Sequence, residues 1–218
     1  MDKLRLVYAQ TGRARWISHL DAMRTLQRGL LRAGVPLRYS EGFNPHALIS
    51  IVMPLSVGTE SMCQMADIRV REDIVLSSLP ERLTAVMPEG LCFTDAYEDF
   101  DKPAELKWLE TEGLWEYDDA DPEEAAARFR DLFSESVTVT RRTKRGEGPF
   151  TLTDHIRGLS FIPEEKAVRV RVTVSASEPV VNPDLITAAV KQNAPELTPD
   201  AARFRRIALF KADGKPFR

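Results

Sequence analysis

The stretch that decides the fold is residues 3–34, KLRLVYAQTGRARWISHLDAMRTLQRGLLRAG. At its start apolar residues alternate with charged ones, which predicts a half-buried strand. Ser18 can then cap a helix, because Asp21 follows three residues later near the positive helix end. The helix is expected to stop at Gly34, with Pro36 beyond it. Its expected apolar side holds Leu20, Met23, Leu26, Leu30 and Leu31, and its basic stripe holds Arg24, Arg28 and Arg32.

Downstream of this helix, the pattern predicts two strands, a second helix and a further strand. The strands are expected at residues 48–55, around 65–71 and at 91–97, and the helix at 75–86. This order of strand, helix, strand, strand, helix, strand is that of the ferredoxin-like split β-α-β unit, an antiparallel sheet covered by two helices. The sequence therefore predicts a ferredoxin-like module over residues 1–100.

A second module of the same element order is predicted for residues 114–218, after an acidic linker over residues 101–113. Its expected elements are a strand at 114–117, a helix at 121–133, strands at 137–141 and 167–175, a helix at 182–192 and a strand at 204–211. Residues 142–149 are expected to form a basic, glycine-containing loop. The predicted fold is thus α+β, with two ferredoxin-like modules in tandem.

The net charge of −3 conceals a strong asymmetry along the chain. Residues 1–50 carry +5, residues 51–135 carry −14 and residues 136–218 carry +6. Basic ends around an acidic middle indicate a polyanion-binding surface, or else an acidic stretch that is simply solvated. The charged, alternating N-terminus does not resemble a signal peptide, and no apolar run approaches the ~18 residues of a membrane span. We therefore expect a cytoplasmic protein without membrane contact.

The sequence offers few residues for metal or nucleophilic chemistry. Cys63 and Cys92 lie 29 positions apart, and two reduced core thiols are favoured over a single buried bridge. Zinc and iron–sulfur sites need three or four converging ligands, so we expect no metal and no cofactor on this chain. His46 could act as an acid or base together with His19 and Glu41. Alternatively, His19 packs at the helix start and His46 hydrogen-bonds its own loop. The residues favour a protein that is not an enzyme, because a histidine without an orienting carboxylate is not a catalytic signature.

Arginines and aromatic residues are the more informative candidates. Binding to an RNA backbone needs several cations on one face, and exposed aromatic rings can stack bases. For the helix stripe taken alone, a solvated face is the competing interpretation. The predicted binding residues are Arg13, Arg15, His19, Arg24, Arg28, Arg32, Tyr39, Phe43, Asn44, His46, Arg142, Lys144 and Arg145.

Three blocks of the sequence resemble the radical-SAM-linked protein family, a bacterial family of unknown function encoded beside or fused behind a radical SAM enzyme. The blocks are Trp16-Ile17-Ser18-His19-Leu20-Asp21, then Arg38-Tyr39-Ser40-Glu41-Gly42-Phe43-Asn44-Pro45-His46, then Pro54-Leu55-Ser56-Val57-Gly58-Thr59-Glu60-Ser61. In one departure, Ala47-Leu48 stands where the family usually has Pro-Lys, which puts a basic contact at that loop in doubt. The resemblance implies a companion enzyme that brings the iron–sulfur cluster and S-adenosylmethionine.

Three hypotheses follow for function. The leading one is an accessory protein of a radical SAM enzyme that recognises RNA or presents substrate and is not catalytic by itself. The second is a protein-docking module without RNA binding, whose acidic middle meets a basic partner. The third is a cryptic enzyme that uses His19 and His46.

Overall fold

The computed structural model describes residues 2–143 and 146–218. Within these ranges the chain is a mixed α+β protein with four α-helices and antiparallel strand pairs inside each unit. Two compact units are present, Met1–Pro103 together with Phe217–Arg218, and Ala104–Pro216. No helix among the described residues is long and apolar enough to cross a membrane.

The first unit has the element order that the sequence predicts. Its elements are β1 (Lys3–Gln10), α1 (His19–Arg32), β2 (Ile49–Ile51), β3 (Glu60–Arg69), α2 (Leu79–Thr84) and β4 (Leu91–Tyr97). The strands lie in the order β4-β1-β3-β2. β2 is shorter than the strand predicted over residues 48–55, and it ends before Pro54, which has no N–H to donate to a ladder.

The core of the first unit lies between the sheet and its helices. Leu4 and Leu6 of β1 are fully buried, as are Leu26 and Leu30 of α1. The predicted apolar side of α1 is only partly correct, because Leu20 and Leu31 are 65% and 49% exposed. The buried row consists of Ala22, Leu26, Gly29 and Leu30, which have the spacing of one helix face.

The other side of β1 carries a buried arginine. Arg5 is fully buried and donates two hydrogen bonds to the Asp67 carboxylate, at 2.6 and 2.8 Å. It also donates to the carbonyl oxygens of Asp101 and Arg218, at 3.0 and 2.8 Å, and lies 4.4 Å from the ring centroid of Phe100. A buried charge persists where it is paired and fully hydrogen-bonded, so these contacts explain why this strand is buried on both faces rather than half-buried.

The second unit contains two more strands than predicted. Its elements are β5 (Leu106–Glu116), α3 (Pro122–Leu132), β6 (Thr138–Thr143), β7 (Gly146–Thr151), β8 (Ile156–Glu164), β9 (Ala167–Ser175), α4 (Asp184–Asn193) and β10 (Ala201–Lys211). The sheet order is β10-β5-β9-β8, and β6 and β7 form a separate two-stranded sheet. Buried Trp115 centres the core, with ring centroids of Phe129, Phe161 and Phe204 at 5.2, 5.9 and 6.5 Å.

The structure differs from the predicted linker over residues 101–113, because β5 begins at Leu106. Buried and half-buried residues alternate along β5. Its half-buried acids are matched by neighbouring strands, since Glu112 accepts from Arg169 at 2.8 Å and Glu116 accepts from Arg203 at 2.6 Å. The charge of this stretch predicted a linker. Instead, residues 106–116 form a strand that pairs on both sides, and cross-strand ion pairs match its charge.

The predicted loop over residues 142–149 is also different. Arg142 and Thr143 end β6, and β7 starts at Gly146, so the described part of this segment is strand. The strand predicted at 137–141 corresponds to β6, which lies in the two-stranded sheet, whereas β8 pairs with β9 at the edge of the sheet of the second unit. The isolated glycines and basic residues of this segment predicted a loop. Both kinds of residue are also tolerated at the exposed positions of a two-stranded ribbon.

Candidate functional site

The turn between β1 and α1 is tightly held. Residues Gly12–Trp16 form a short 3-10 helix. The Gly58 N–H donates to the carbonyl oxygen of Arg15 at 2.8 Å, and the Gly12 N–H donates to the Glu60 carboxylate at 2.9 Å. These bonds join the turn just before the first sequence block to the third block, so the backbone that leads into Trp16 has a fixed position.

Trp16 presents its indole ring at this turn and is 61% exposed. The ring lies over Gly58, where an added Cβ would stand 3.2 Å from it. The Arg15 guanidinium lies 5.0 Å from the ring centroid and 3.6 Å from the Glu60 carboxylate. A flat ring backed by a glycine, with a cation beside it, is a surface on which another planar group can stack.

The loop over residues 41–45 projects a second aromatic ring. Ser40 and His46 close it: the Ser40 N–H donates to the His46 carbonyl at 2.9 Å, and the His46 N–H donates to Ser40 Oγ at 3.1 Å. His46 Nδ1 lies 2.9 Å from Ser40 Oγ, so this imidazole hydrogen-bonds its own loop. Tyr39, half-buried, pairs with Ala47 below. Phe43 and Asn44 at the loop tip are exposed, and Phe43 is completely so, at 110%.

The arginine stripe of α1 divides into three kinds of residue. Arg24 pairs with Asp21 at 3.1 Å, and the hydrogen bonds from Ser18 and then Arg24 hold the pKa of Asp21 below its ordinary value. Arg32 donates to the carbonyl oxygen of Val86 at 2.7 Å, so it ties the helix to the chain after α2. Arg28 is exposed and has no side-chain partner among the residues that the structure describes. Only part of the predicted stripe is therefore available to a ligand.

Two exposed leucines share the outer face of α1 with these arginines. Leu20, Arg24 and Arg28 follow one another at spacings of four residues, and Leu31 lies three residues beyond Arg28. The sequence pattern predicted both leucines on the apolar side of the helix, and Trp16 was not among the predicted binding residues. A signal was available, because Leu20 and Leu31 fall off the row formed by residues 22, 26, 29 and 30.

Three of the predicted binding residues belong to the second unit, Arg142, Lys144 and Arg145. Arg142 is exposed on β6 and lies 3.9 Å from the Glu147 carboxylate. Its neighbour Arg141 is 4.8 Å from the ring centroid of Phe150. Lys144 and Arg145 lie outside the described residues.

The histidines and cysteines give no assembled chemical site in the part of the chain that is described. His19 is exposed at the first position of α1, and neither it nor His46 hydrogen-bonds a carboxylate within residues 2–143 and 146–218. In the same ranges no group of three or more His, Cys, Asp or Glu residues could hold a metal ion. Cys63 and Cys92 are not joined by a disulfide, and the expectation of two core thiols is wrong for Cys92, which is exposed.

Comparison with known proteins finds one family. A family model described as "Uncharacterized protein conserved in bacteria (DUF2344)" matches residues 3–183, which include the Trp16 turn, α1 and the Phe43 loop. No curated protein matches the chain.

Proposed function

The chain belongs to this bacterial family of uncharacterised function, and from that premise we propose that it is a non-catalytic accessory protein that recognises RNA beside a radical SAM enzyme. The support for the enzyme partner is the resemblance of the three sequence blocks. The support for RNA is a single observation: exposed aromatic rings on anchored backbone, close in sequence to exposed arginines. The proposed RNA contacts are Arg13, Trp16, Arg24, Arg28 and Phe43.

Trp16 carries most of this argument. Its ring is 61% exposed on backbone that is held by hydrogen bonds, so the ring is available for stacking by a planar partner. Base–aromatic stacking contributes about 1–3 kcal/mol per base. Arg15 beside the ring and Arg28 on α1 add cations for the phosphates.

We also propose that both units are ferredoxin-like modules. In the first unit the strand order β4-β1-β3-β2 accompanies the element order of a split β-α-β unit. In the second unit the equivalent order is β10-β5-β9-β8, once the β6–β7 ribbon is treated as an insertion between α3 and β8. The fold does not define the function, so this assignment supports only the architecture.

The test is a cross-linking pull-down from a bacterium that encodes the chain. The tagged chain is purified after ultraviolet cross-linking, bound RNA is sequenced and bound protein is identified by mass spectrometry. We expect RNA together with the radical SAM enzyme encoded nearby, and we expect the double substitution Trp16→Ala/Phe43→Ala to lose the RNA. Val75→Ala is the matched control, because Val75 is a 67% exposed apolar residue elsewhere in the same unit.

A protein-docking module is the second candidate, and the exposure of Leu20 and Leu31 favours it. Leucine side chains add affinity for a protein surface but do little for a phosphate backbone. The acidic middle is less suited to be the docking surface, because Glu112 and Glu116 are already paired with arginines. Recovery of the radical SAM enzyme without RNA decides for docking, and recovery of neither overturns both proposals. An acid–base role for His19 and His46 stays a prediction that would show as a reaction by the isolated chain.

A further inference from the structure

Among its described residues the first unit exposes two aromatic rings but few unpaired arginines, and this ratio favours one class of RNA over another. We propose that the first unit binds unpaired nucleotides by stacking, through the Trp16 turn, the outer face of α1 and the Phe43 loop, and discriminates against duplex RNA. The inference rests on the proposed function, since it names the substrate class of the same site. Three observations carry it: few available cations, carboxylates among them, and two accessible rings.

The available cations are too few for a protein that holds a duplex by its phosphates. Among the described residues of the turn and α1, Arg13 and Arg28 are exposed without a side-chain partner. Arg15 and Arg24 face carboxylates at 3.6 and 3.1 Å, and Arg32 is bonded to a backbone carbonyl. Proteins that rely on phosphate contacts commonly neutralise about 6–10 phosphates. Two to four arginines fall well short of that number.

Carboxylates close to these arginines and to Phe43 weaken the attraction for a polyanion further. Asp21 and Glu60 lie beside Arg24 and Arg15, and Glu41 stands two residues before Phe43. The chain as a whole carries −3. A duplex presents about one negative charge per 1.7 Å of its axis, whereas a short single strand carries half that density and bends away from carboxylates. The electrostatics therefore disfavour the duplex more than the single strand.

The two rings favour bases whose faces are free. The six-membered part of the Trp16 indole lies against Gly58 and the Arg15 guanidinium lies over the ring, yet Trp16 is 61% exposed. Phe43 is completely exposed on a loop closed by Ser40 and His46. In a duplex each base face is already stacked on its neighbour, while in a single strand the face can leave its neighbour for a protein ring. One stacked base strengthens binding by about 5- to 150-fold. This contribution is available only from unpaired nucleotides.

The experiment compares one RNA strand in two states with the full chain. The probe is a 12-nucleotide RNA of mixed sequence with a fluorescent end label, either alone or annealed to its complement, and binding is followed by anisotropy at several salt concentrations. We expect the single strand to bind at least about 20-fold more tightly. The slope of log affinity against log salt should lie between about −1 and −3, as for two to four phosphate contacts.

Tryptophan emission adds a readout that a loss of folding does not mimic. Trp16→Phe keeps a ring, so affinity should stay within about 3-fold while the RNA-induced change in emission disappears. Trp16→Ala should weaken single-strand binding by at least about 5-fold. Trp108→Phe is the matched control, because Trp108 also lies against an arginine, 3.9 Å from Arg157, but in the second unit. In the Trp108→Phe variant the RNA-induced change in tryptophan emission should persist.

The outcomes separate this inference from the proposed function. Equal or tighter binding of the duplex, or a slope steeper than about −4, overturns the inference and leaves RNA recognition standing. Unaltered single-strand binding by Trp16→Ala also overturns it, because the ring is then not the contact. Absence of binding to either state at low salt overturns the proposed function itself.

Discussion

Tyr8 carries a hydroxyl that is buried in the core of the first unit with no hydrogen-bond partner among the described residues. Its ring stacks on Phe93 with centroids 5.1 Å apart. Burial raises the pKa of Tyr8 well above its ordinary value, since the phenolate is poorly solvated in the core. The ring, rather than the hydroxyl, is therefore what this position contributes to the core.

The substitution Tyr8→Phe tests this account. It removes an unsatisfied polar group and keeps the ring, so the free energy of unfolding at pH 7 should be unchanged or higher by about 1 kcal/mol. Because the pKa is raised in the folded state, the wild type should lose stability as the pH rises above about 10, where tyrosine ionises in the unfolded chain. The variant should lose less. Urea unfolding at pH 7 and pH 10.5 measures both effects, and a loss above about 1 kcal/mol at pH 7 contradicts the account.

Gly58 links backbone conformation to the proposed site. Its φ of +90° is one that side chains rarely adopt, and an added Cβ would press on the Trp16 ring from 3.2 Å. Gly58→Ala should cost about 1–3 kcal/mol of stability and shift the emission of Trp16. Gly148→Ala is the control, since nothing lies within 4 Å of its added Cβ. Urea unfolding and emission spectra of the two variants give the comparison, and equal behaviour would show that the ring does not rest on Gly58.

At the scale of elements, α1 shows what hydrophobic periodicity can and cannot predict. Its cap is as expected, with Ser18 Oγ accepting from the Asp21 N–H. The boundaries also agree with the sequence, since the helix runs from His19 to Arg32. The prediction took every leucine as part of one apolar side, although the helical spacing separates Leu20 and Leu31 from the row that contains Leu26 and Leu30.

Two arginines one turn apart on α1 should behave differently. Arg32 donates to the Val86 carbonyl, so Arg32→Ala should lower the free energy of unfolding by about 1 kcal/mol. Arg28 has no such bond among the described residues, so Arg28→Ala should change stability by less than about 0.5 kcal/mol. RNA affinity should show the reverse order, with the larger loss for Arg28→Ala. Thermal unfolding and RNA titration of both variants measure the two orders. The prediction is contradicted if the same variant shows the larger loss of both stability and RNA affinity.

β5 and the β6–β7 ribbon show how charge can mislead a sequence interpretation. Glu110, Glu112 and Glu116 fall on alternate positions of β5, which is the period of a strand. Their charge indicates a linker until the arginine partners of Glu112 on β9 and of Glu116 on β10 are known. Those partners are far away in the sequence, so local pattern cannot supply them. The same applies to Gly146–Thr151, whose strand character depends on pairing with β6.

At the scale of the whole chain, the order of elements was largely predictable and the site was not. Period-two and helical patterns with caps and turn glycines place most strands and helices. The position of the Trp16 ring depends on Gly58 and Glu60, which come after α1 and β2 in the sequence. A contact of this kind has no local signature, although all these residues lie in the blocks that carry the family resemblance.

The central claim is that rings and arginines of the first unit bind RNA. The most direct test is the affinity of the full chain for a labelled single-stranded RNA, measured by anisotropy for the triple substitution Trp16→Ala/Arg28→Ala/Phe43→Ala. The control is Val75→Ala/Arg71→Ala, which removes an exposed apolar residue and an exposed arginine from the same unit. We predict a loss of at least about 20-fold for the triple substitution and less than about 2-fold for the control. Equal affinities of the triple variant and the wild type would contradict the account.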